Sequence, residues 1–351
     1  MGEKDAKKIF CWAAFAQIST WQNGNITPCR FLRHHVIGNL GEESLKSVWN
    51  GARIKSMRSD FLQGCSPGIC RPFVDNMNCH KEFLKYKDPA RAKLIQTEPP
   101  TRLHARLTGR CNLACPSCKS KKDPREIAYR SKVWTRSKKW LYPKLTEIML
   151  LGGEPFIDPS TFQMIDEVAL VNKNCRWSFT TNGHWTFTDE IKEKLDRIQI
   201  EEFRFSIDSL NPRLFSVLRK GGRLERALRT LHEMDAYRRQ RGRQKRGFRM
   251  GINMVVQRSN YQEVPTVIEF CRKKKMSFIP LFCISPRPLS ILAGSPKERA
   301  KAGRFFLKMG LSQGRHTRPI LEKLVTGLKD QELKTEIFFL LARMPRYHER
   351  C

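Results

Sequence analysis

Residues 111–118 read CNLACPSC, so three cysteines (Cys111, Cys115 and Cys118) occupy eight consecutive positions. A structural zinc ion takes four protein ligands, and so does an ordinary iron–sulfur cluster. Three thiolates on one loop therefore leave one coordination position for a fourth ligand. That ligand is either another residue of the chain or a small molecule, and the sequence around the motif bears on the choice.

The cysteine motif follows the first of six predicted strands. These strands fall at 102–107, 147–153, 177–183, 202–208, 249–256 and 278–284, and the helical stretches between them fall at 126–141, 159–172, 187–198, 211–238 and 260–274. Six strands at this spacing predict a parallel α/β sheet, either open or curved into a partial barrel. A helical stretch over 297–345 is expected to cover one edge.

Distinctive residues follow four of these strands, each time in the loop after the carboxyl end. The loops contain CNLACPSC after the first strand, GGEP (Gly152, Gly153, Glu154 and Pro155) after the second, TNG after the third and SIDS after the fourth. In βα units such loops meet at one end of the sheet, where ligands bind. The order of the motifs therefore predicts one shared site.

This ordered set resembles the radical S-adenosylmethionine (radical SAM) superfamily, over roughly residues 100–285. The resemblance implies a partial (β/α)6 TIM-type barrel in which the three cysteines hold a [4Fe-4S] cluster and SAM fills the open position. One electron, from a donor such as flavodoxin or ferredoxin, would cleave SAM to a 5′-deoxyadenosyl radical that removes a substrate hydrogen. A zinc knuckle built from the cysteines and a histidine such as His104 is the structural alternative.

The resemblance also implies which residues bind SAM. GGEP would meet the methionyl amine, since glycines allow close backbone approach and carbonyls and Glu154 are suitable acceptors. The fourth strand end would contact the ribose and carboxylate, Arg219 would hold the carboxylate, and the fifth strand would flank the adenine. The implied cofactor-binding set is Gly152, Gly153, Glu154, Pro155, Asn182, Ser206, Asp208, Arg219, Asn253 and Val255. The sequence identifies no general base or radical relay.

The first 85 residues resemble the twitch or SPASM auxiliary-cluster domain of radical SAM enzymes. Asn23 and Gly24 predict a hairpin, and a helical stretch with a break at Gly51 follows. The resemblance implies an auxiliary [4Fe-4S] cluster, with four ligands drawn from Cys11, Cys29, Cys65, Cys70 and Cys79. The region precedes the barrel instead of following it, and its later pair reads CSPGIC, so the choice of four stays open. A zinc site is the alternative.

The predicted organisation follows from these two resemblances. A small α+β auxiliary-cluster domain over 1–85 leads through a linker over 86–100 into the barrel over 101–290, and a helical extension over 291–351 ends the chain. The linker prediction rests on a polar stretch that ends at Pro99 and Pro100.

Composition favours a soluble, cytoplasmic protein. Hydrophobic residues make up 40% of the 351 residues, which is enough for a packed core, but no stretch has the ~18 apolar residues of a membrane span. The charged amino terminus, MGEKDAKKIFCW, lacks the pattern of a signal peptide. Twelve cysteines in a reducing compartment indicate metal or redox chemistry more than disulfides.

The formal net charge of +32 makes a polyanion such as RNA a candidate partner. Two basic runs, 238–249 and 272–275, precede the fifth and sixth strands and so are expected at the end opposite the site. A third, 119–140, begins at the cysteine loop and contains interleaved aromatic residues, which suit nucleic acid, an acidic peptide or simply an amphipathic helix. A solvated basic surface is the favoured interpretation of the first two.

The substrate prediction rests on the resemblance to twitch/SPASM enzymes, which favours a peptide or protein side chain. The basic charge motivates one alternative, radical modification of RNA. A non-catalytic iron–sulfur protein that transfers electrons or senses redox state is the other.

Overall fold

The computed structural model describes residues 11–65, 67–70, 88–118, 132–309, 321–322, 324–325 and 331–343. Within these ranges nine strands form one sheet, in the order β3-β2-β1-β4-β5-β6-β7-β8-β9. The strands are β1 (Gln17–Thr20), β2 (Asn25–Thr27), β3 (Gly38–Asn39), β4 (Arg102–Ala105), β5 (Glu147–Leu150), β6 (Arg176–Thr181), β7 (Gln199–Ser206), β8 (Arg249–Val256) and β9 (Ser277–Phe282).

The described α-helices follow the predicted alternation. They are α1 (Ala13–Ala16), α2 (Leu45–Trp49), α3 (Ala52–Leu62), α4 (Lys132–Leu141), α5 (Pro159–Val171), α6 (Asp189–Asp196), α7 (Pro212–Leu218), α8 (Leu224–Arg243), α9 (Val264–Lys273), α10 (Pro296–Lys308) and α11 (Gln331–Arg343). The stretch predicted as one helix over 211–238 is two helices, α7 and α8. The chain turns between them at Gly221, whose φ is +88°.

Strands β4 to β9 are parallel to one another in sequence order. Each corresponds to one of the six predicted strands, so the predicted α/β class with a partial barrel is confirmed. The parallel order arises because a helical crossover joins each of these strands to the next. All the loops after the strands therefore open at the same end of the sheet.

The two faces of this sheet differ in chemistry. On the face that packs against helices, Phe179 and Phe203 stack at 4.8 Å and Phe156 packs on both. The inner face is polar: Arg102 is ion-paired with Glu147 on the next strand and donates to Gln17, while Arg204 pairs with Glu202 at 2.7 Å. Alternation along each strand separates the two sets, since successive side chains point to opposite faces. A polar lumen results.

The amino-terminal region joins this sheet directly. Strand β1 lies parallel to β4, with Ile18 opposite Leu103, and β2 pairs antiparallel with β1 as the predicted hairpin. The hairpin turn needs Gly24, because its φ is +87° and a Cβ there would lie 2.5 Å from Oδ1 of Asn39. The described part of the region over 1–85, which is predicted as a separate domain, thus shares a hydrogen-bonded sheet with the barrel.

Helix α2 packs against α4, and helix α3 packs against α1. Gly51 separates α2 from α3, as predicted, by capping α3. Arg58 on α3 is fully buried: its guanidinium lies 4.3 Å from the Trp49 ring centroid and donates to the carbonyls of Ala14 and Leu94. Because Leu94 belongs to the predicted linker, Arg58 ties that segment to the amino-terminal helices.

The basic run 238–249 and the described part of 119–140 can be compared with their predicted positions. Residues 238–249 cover the last turns of α8, the connection that follows and the first residue of β8, at the amino-terminal end of the strands, with Arg239 and Arg249 largely exposed. Arg241 differs, because it is buried and donates to the carbonyls of Leu195 and Ile198. In the run over 119–140 only residues from 132 onward are described, and there Trp134 is buried against Tyr142, as the amphipathic-helix interpretation expects.

No helix among the described residues is long and apolar enough to cross a membrane.

Candidate iron–sulfur and SAM site

The cysteine loop and the GGEP loop touch through their backbones. The N–H of Glu154 donates to the carbonyl of Arg110 at 2.8 Å. Gly153 has a φ of +56°, and a Cβ on it would lie only 2.2 Å from the same carbonyl oxygen. A side chain there cannot be accommodated without moving backbone, so glycine is required for the two loops to meet.

Hydrogen bonds to Glu154 connect the cysteine and GGEP loops to the TNG loop. Its carboxylate is fully buried and accepts hydrogen bonds from the Thr181 hydroxyl at 2.7 Å, the Asn182 N–H at 2.6 Å and the Phe156 N–H at 3.3 Å. Desolvation raises the pKa of Glu154 to about 7, and these hydrogen bonds oppose the shift. The carboxylate is thus a positioning group, and its burial counts against the expectation that it accepts from an ammonium. The carbonyls of Gly152 and Gly153 remain the predicted acceptors for the methionyl amine of SAM.

Asn182 reaches the first cysteine. Its side-chain amide donates to the Cys111 sulfur at 3.4 Å and to Oδ1 of Asn112 at 2.9 Å, while its own Oδ1 accepts from the His184 N–H. An N–H directed at a ligating sulfur stabilises the thiolate and tunes the potential of a bound cluster. The structure therefore places Asn182 against the cysteine loop.

Arg219 approaches the second cysteine from α7. Its Nε lies 2.8 Å from Oδ2 of Asp208, and its Nη1 lies 3.9 Å from the Cys115 sulfur. Desolvation acts to lower the pKa of Arg219, but the charges of Asp208 and Cys115 outweigh it, so the pKa is raised. Asp208 also accepts from the Val255 N–H at 2.7 Å. A buried, permanently charged guanidinium therefore lies beside Cys115.

Ser206 and Asn253 end the next two strands side by side, since they are register partners in β7 and β8. Both are half-buried, and Arg204 reaches toward Oδ1 of Asn253 at 3.5 Å. Pro155 is buried and begins a short turn over Pro155–Ile157. The predicted SAM-binding residues thus lie along the carboxyl ends of four adjacent strands, although their contacts with SAM stay a prediction.

The donor set on the cysteine loop fits an iron–sulfur cluster. Two of its three sulfurs face side-chain N–H donors, from Asn182 and Arg219, which is the environment of cluster thiolates. Among the residues described, no three His, Cys, Asp or Glu side chains are grouped closely enough to hold a single metal ion.

The amino-terminal cysteines lie in different surroundings. Cys11 and Cys29 are buried, and burial, with smaller contributions from Cys29 and Asp60, raises the pKa of Cys70 to about 12. Cys65 is exposed just after α3. Cys79 lies outside the described residues. Cys29 and Cys70 are thus close enough to interact electrostatically, while the full ligand set stays a prediction.

Sequence reasoning missed the side chains of the lumen. Arg106, one residue past β4, places its guanidinium 4.4 Å from the Trp21 ring centroid, and its Cγ lies 3.1 Å from where a Cβ on Gly152 would stand. The signal was present in RLHARL, where Arg102, His104 and Arg106 alternate with apolar residues. The alternation predicts a strand, but it does not show that these side chains face a barrel lumen.

Two protein families match the chain. The radical SAM superfamily matches residues 106–271. The SPASM family, described as an iron-sulfur cluster-binding domain, matches residues 11–75.

Curated relatives are similar over part of their length. A GTP 3′,8-cyclase from Syntrophomonas wolfei is 28% identical over 176 residues, which cover 48% of this chain and 50% of the relative. The mycofactocin maturase MftC of Mycobacterium tuberculosis is 27% identical over 147 residues, covering 40% of this chain and 35% of the relative. The chain thus spans about half or less of the length of these two relatives.

Solved structures are similar at low identity. The enzyme anSMEcpe with bound AdoMet is 19% identical, with a TM-score of 0.46 over 60% of this chain and 61% of that chain. Streptococcus suis SuiB bound to the precursor peptide SuiA is 16% identical, with a TM-score of 0.43 over 77% of this chain and 62% of that one.

Proposed function

This chain belongs to the radical SAM superfamily and carries a SPASM iron–sulfur domain ahead of its barrel, and on that premise we propose that it modifies a peptide or protein side chain. In the proposal Cys111, Cys115 and Cys118 hold the SAM-binding [4Fe-4S] cluster, and the amino-terminal cysteines hold an auxiliary cluster. When bound, the first cluster supplies the electron that cleaves SAM, and SAM supplies the radical that takes hydrogen from the substrate.

One observation carries the chemistry: three loops that are distant in sequence are joined at one end of the sheet. Asn182 donates to Cys111, Glu154 accepts from Asn182, and the Glu154 N–H donates to Arg110. These contacts would fix the cysteines relative to the glycines that face the SAM amine. A site held this rigidly would keep the reacting groups in place and exclude water.

The peptide substrate is supported by the auxiliary domain. The SPASM match begins at Cys11, and the hairpin it contains is bonded to the first barrel strand through β1 and β4. An auxiliary cluster held by this hairpin would be near the barrel, where it could accept an electron from the product or bind the substrate. The name maturase of the Mycobacterium tuberculosis relative is consistent with that class of substrate.

A nucleotide is the competing substrate, because other relatives are named GTP 3′,8-cyclases. The exposed arginines at the far end of the barrel, such as Arg239 and Arg249, supply charge but lie away from the proposed site. They would hold RNA without presenting it to the cluster. The peptide proposal is therefore preferred to RNA, and the mass spectrometry described below decides between a peptide and GTP.

The experiment is anaerobic incubation of the reconstituted protein with SAM and dithionite, followed by measurement of 5′-deoxyadenosine. Formation of 5′-deoxyadenosine that is lost in Cys115→Ser supports radical SAM cleavage; its absence from a fully loaded protein contradicts it. Mass spectrometry of co-purifying peptides, of added GTP and of cellular RNA then identifies the class that changes mass. A mass change in GTP or RNA alone would overturn the peptide assignment.

A further inference from the structure

Three arginine side chains act electrostatically on one place in the barrel lumen, where β4 lies between β1 and β5. His104 is buried there, with 2% of its surface exposed. Burial, and after it the charges of Arg30, Arg102 and Arg106, lower the pKa of His104 well below its usual value. The imidazole is therefore neutral, and the guanidiniums of Arg30 and Arg106 act on it beside the Arg102–Glu147 ion pair, which favours a negative group.

Several polar atoms at this place have no hydrogen-bond partner among the described residues. They are both ring nitrogens of His104 and the hydroxyl of Ser19. The two residues are register partners in β4 and β1, so their side chains lie on the same face. Buried polar groups are nearly always hydrogen-bonded, so this pair indicates a site for something that supplies partners.

Arg106 connects this place to the SAM loops. Its side chain passes under Gly152 and its guanidinium stacks on Trp21. Burial lowers the pKa of Arg106 to about 10; Cys118, at the cluster loop, opposes this shift, and the like charges of Arg33 and Arg30, from the amino-terminal region, add to it. A ligand held by Arg106 would lie between the lumen and the GGEP loop.

Arg30 enters the same lumen from the amino-terminal region. Its Nη1 lies 3.7 Å from the sulfur of Met149, and Met149 is the register partner of His104 on β5. The auxiliary region thus contributes a charged side chain to the inside of the barrel. Substrate recognition would then require both regions of the chain.

We propose that His104, Ser19, Arg30 and Arg106 form a subsite in the barrel lumen that binds a carboxylate of an acidic residue in the peptide substrate. The identity of the substrate rests on the proposed function, whereas the anion site itself does not. A carboxylate accepts hydrogen bonds and donates none, and its two coplanar oxygens match the fork of a guanidinium. The N–H of the neutral His104 imidazole and the hydroxyl of Ser19 would supply the remaining hydrogen bonds to the carboxylate. A phosphate would require more donors.

The anion site is tested first by crystallography of the SAM-bound holoenzyme soaked in sodium bromide. An anomalous peak between His104 and Arg106 supports the site. Ordered water there, with bromide bound elsewhere on the same molecule, overturns it. This result does not depend on whether 5′-deoxyadenosine is formed, so it fails or succeeds separately from the proposed function.

The ligand class is tested by calorimetry of the holoenzyme with glutarate and with inorganic phosphate. We expect glutarate to bind and its affinity to fall about tenfold or more in Arg106→Gln and His104→Leu, as loss of a charge-assisted or buried hydrogen bond predicts. Arg243→Gln, an equal charge change at an exposed position on α8, should leave the affinity unchanged. Unchanged binding in Arg106→Gln and His104→Leu, no binding of glutarate, or tighter binding of phosphate than of glutarate overturns the carboxylate assignment.

Folding of the variants is checked by the absorbance of the bound clusters. Arg106→Lys provides a second test, because it keeps the charge but loses the fork. Partial retention of glutarate binding in that variant supports direct contact with the anion, and full retention contradicts the bidentate geometry.

Discussion

The backbone N–H of Asn182 donates to the buried carboxylate of Glu154 at 2.6 Å, and this bond joins the loops after two neighbouring strands. The side chain of the same asparagine donates to the sulfur of Cys111. One residue therefore links the GGEP loop to the cysteine loop. The position of Cys111 depends on a carboxylate that has no exposed surface of its own.

Glu154→Gln is expected to disrupt the site although it is nearly isosteric. The glutamine NH2 group would face one of the three groups that donate to the Glu154 carboxylate. One buried donor would then have no acceptor, which we expect to cost about 1–3 kcal/mol of stability. We expect lower cluster content and a fall of at least about tenfold in 5′-deoxyadenosine formation. Glu193→Gln, exposed on α6, is the matched control and should match the wild type. Equal activity in the two variants would show that Glu154 does not position the loops.

Gly153→Ala is expected to prevent assembly of the SAM site. Its Cβ would lie 2.2 Å from the Arg110 carbonyl, and its φ of +56° is unfavourable for alanine. Titration of the visible spectrum with SAM should show lost or much weakened binding. Gly242→Ala has open space around its Cβ and should leave SAM binding intact. If Gly153→Ala binds SAM normally, the two loops do not need this close approach.

A double-mutant cycle separates two roles of Arg219. Arg219→Gln removes the guanidinium that pairs with Asp208 and leaves a buried carboxylate without that counter-charge. We expect this to cost about 3–5 kcal/mol of stability. Adding Asp208→Asn removes the stranded charge and should recover most of that loss. SAM affinity should stay low in the double variant if Arg219 also holds the SAM carboxylate. Recovery of both stability and SAM affinity would assign Arg219 a structural role alone.

Iron analysis tests the auxiliary cluster. If Cys29 and Cys70 are among its ligands, Cys29→Ser and Cys70→Ser should each reduce iron from about eight to about four atoms per chain. The remaining cluster should still cleave SAM. Cys271→Ser, at a buried position on α9, should keep all the iron. Full iron in both of the first two variants would exclude them as ligands.

Much of the fold could be predicted from sequence because local patterns carry it. The six barrel strands and the loops after them follow from alternation and from ordered motifs, and GGEP and TNG meet because parallel strands end together. The pairing of β1 with β4 could not be predicted, since Ser19 and His104 are far apart in sequence and meet only through the tertiary structure. The burial of Glu154 was missed for the same reason: its partners lie on another loop.

His104→Leu should stabilise the protein while removing anion binding. Leucine eliminates two unpartnered buried nitrogens, and we expect a gain of about 1–2 kcal/mol, or roughly 2–4 °C in Tm, at pH 7.5. The pKa of His104 is lowered in the folded protein, so the unfolded chain takes up a proton that the folded chain does not. Wild-type stability should therefore fall as the pH drops below about 6.5, by up to about 1.4 kcal/mol per pH unit.

The difference between wild type and His104→Leu should accordingly be larger at pH 5.5 than at pH 7.5. Scanning fluorimetry of the anaerobic holoenzyme, at one scan rate, measures both values. His232→Leu is the control, because His232 is exposed and its pKa, although also lowered, is less affected by burial. A lower Tm for His104→Leu at both pH values would mean that the wild-type imidazole already has partners, such as bound water, and gains nothing from a ligand.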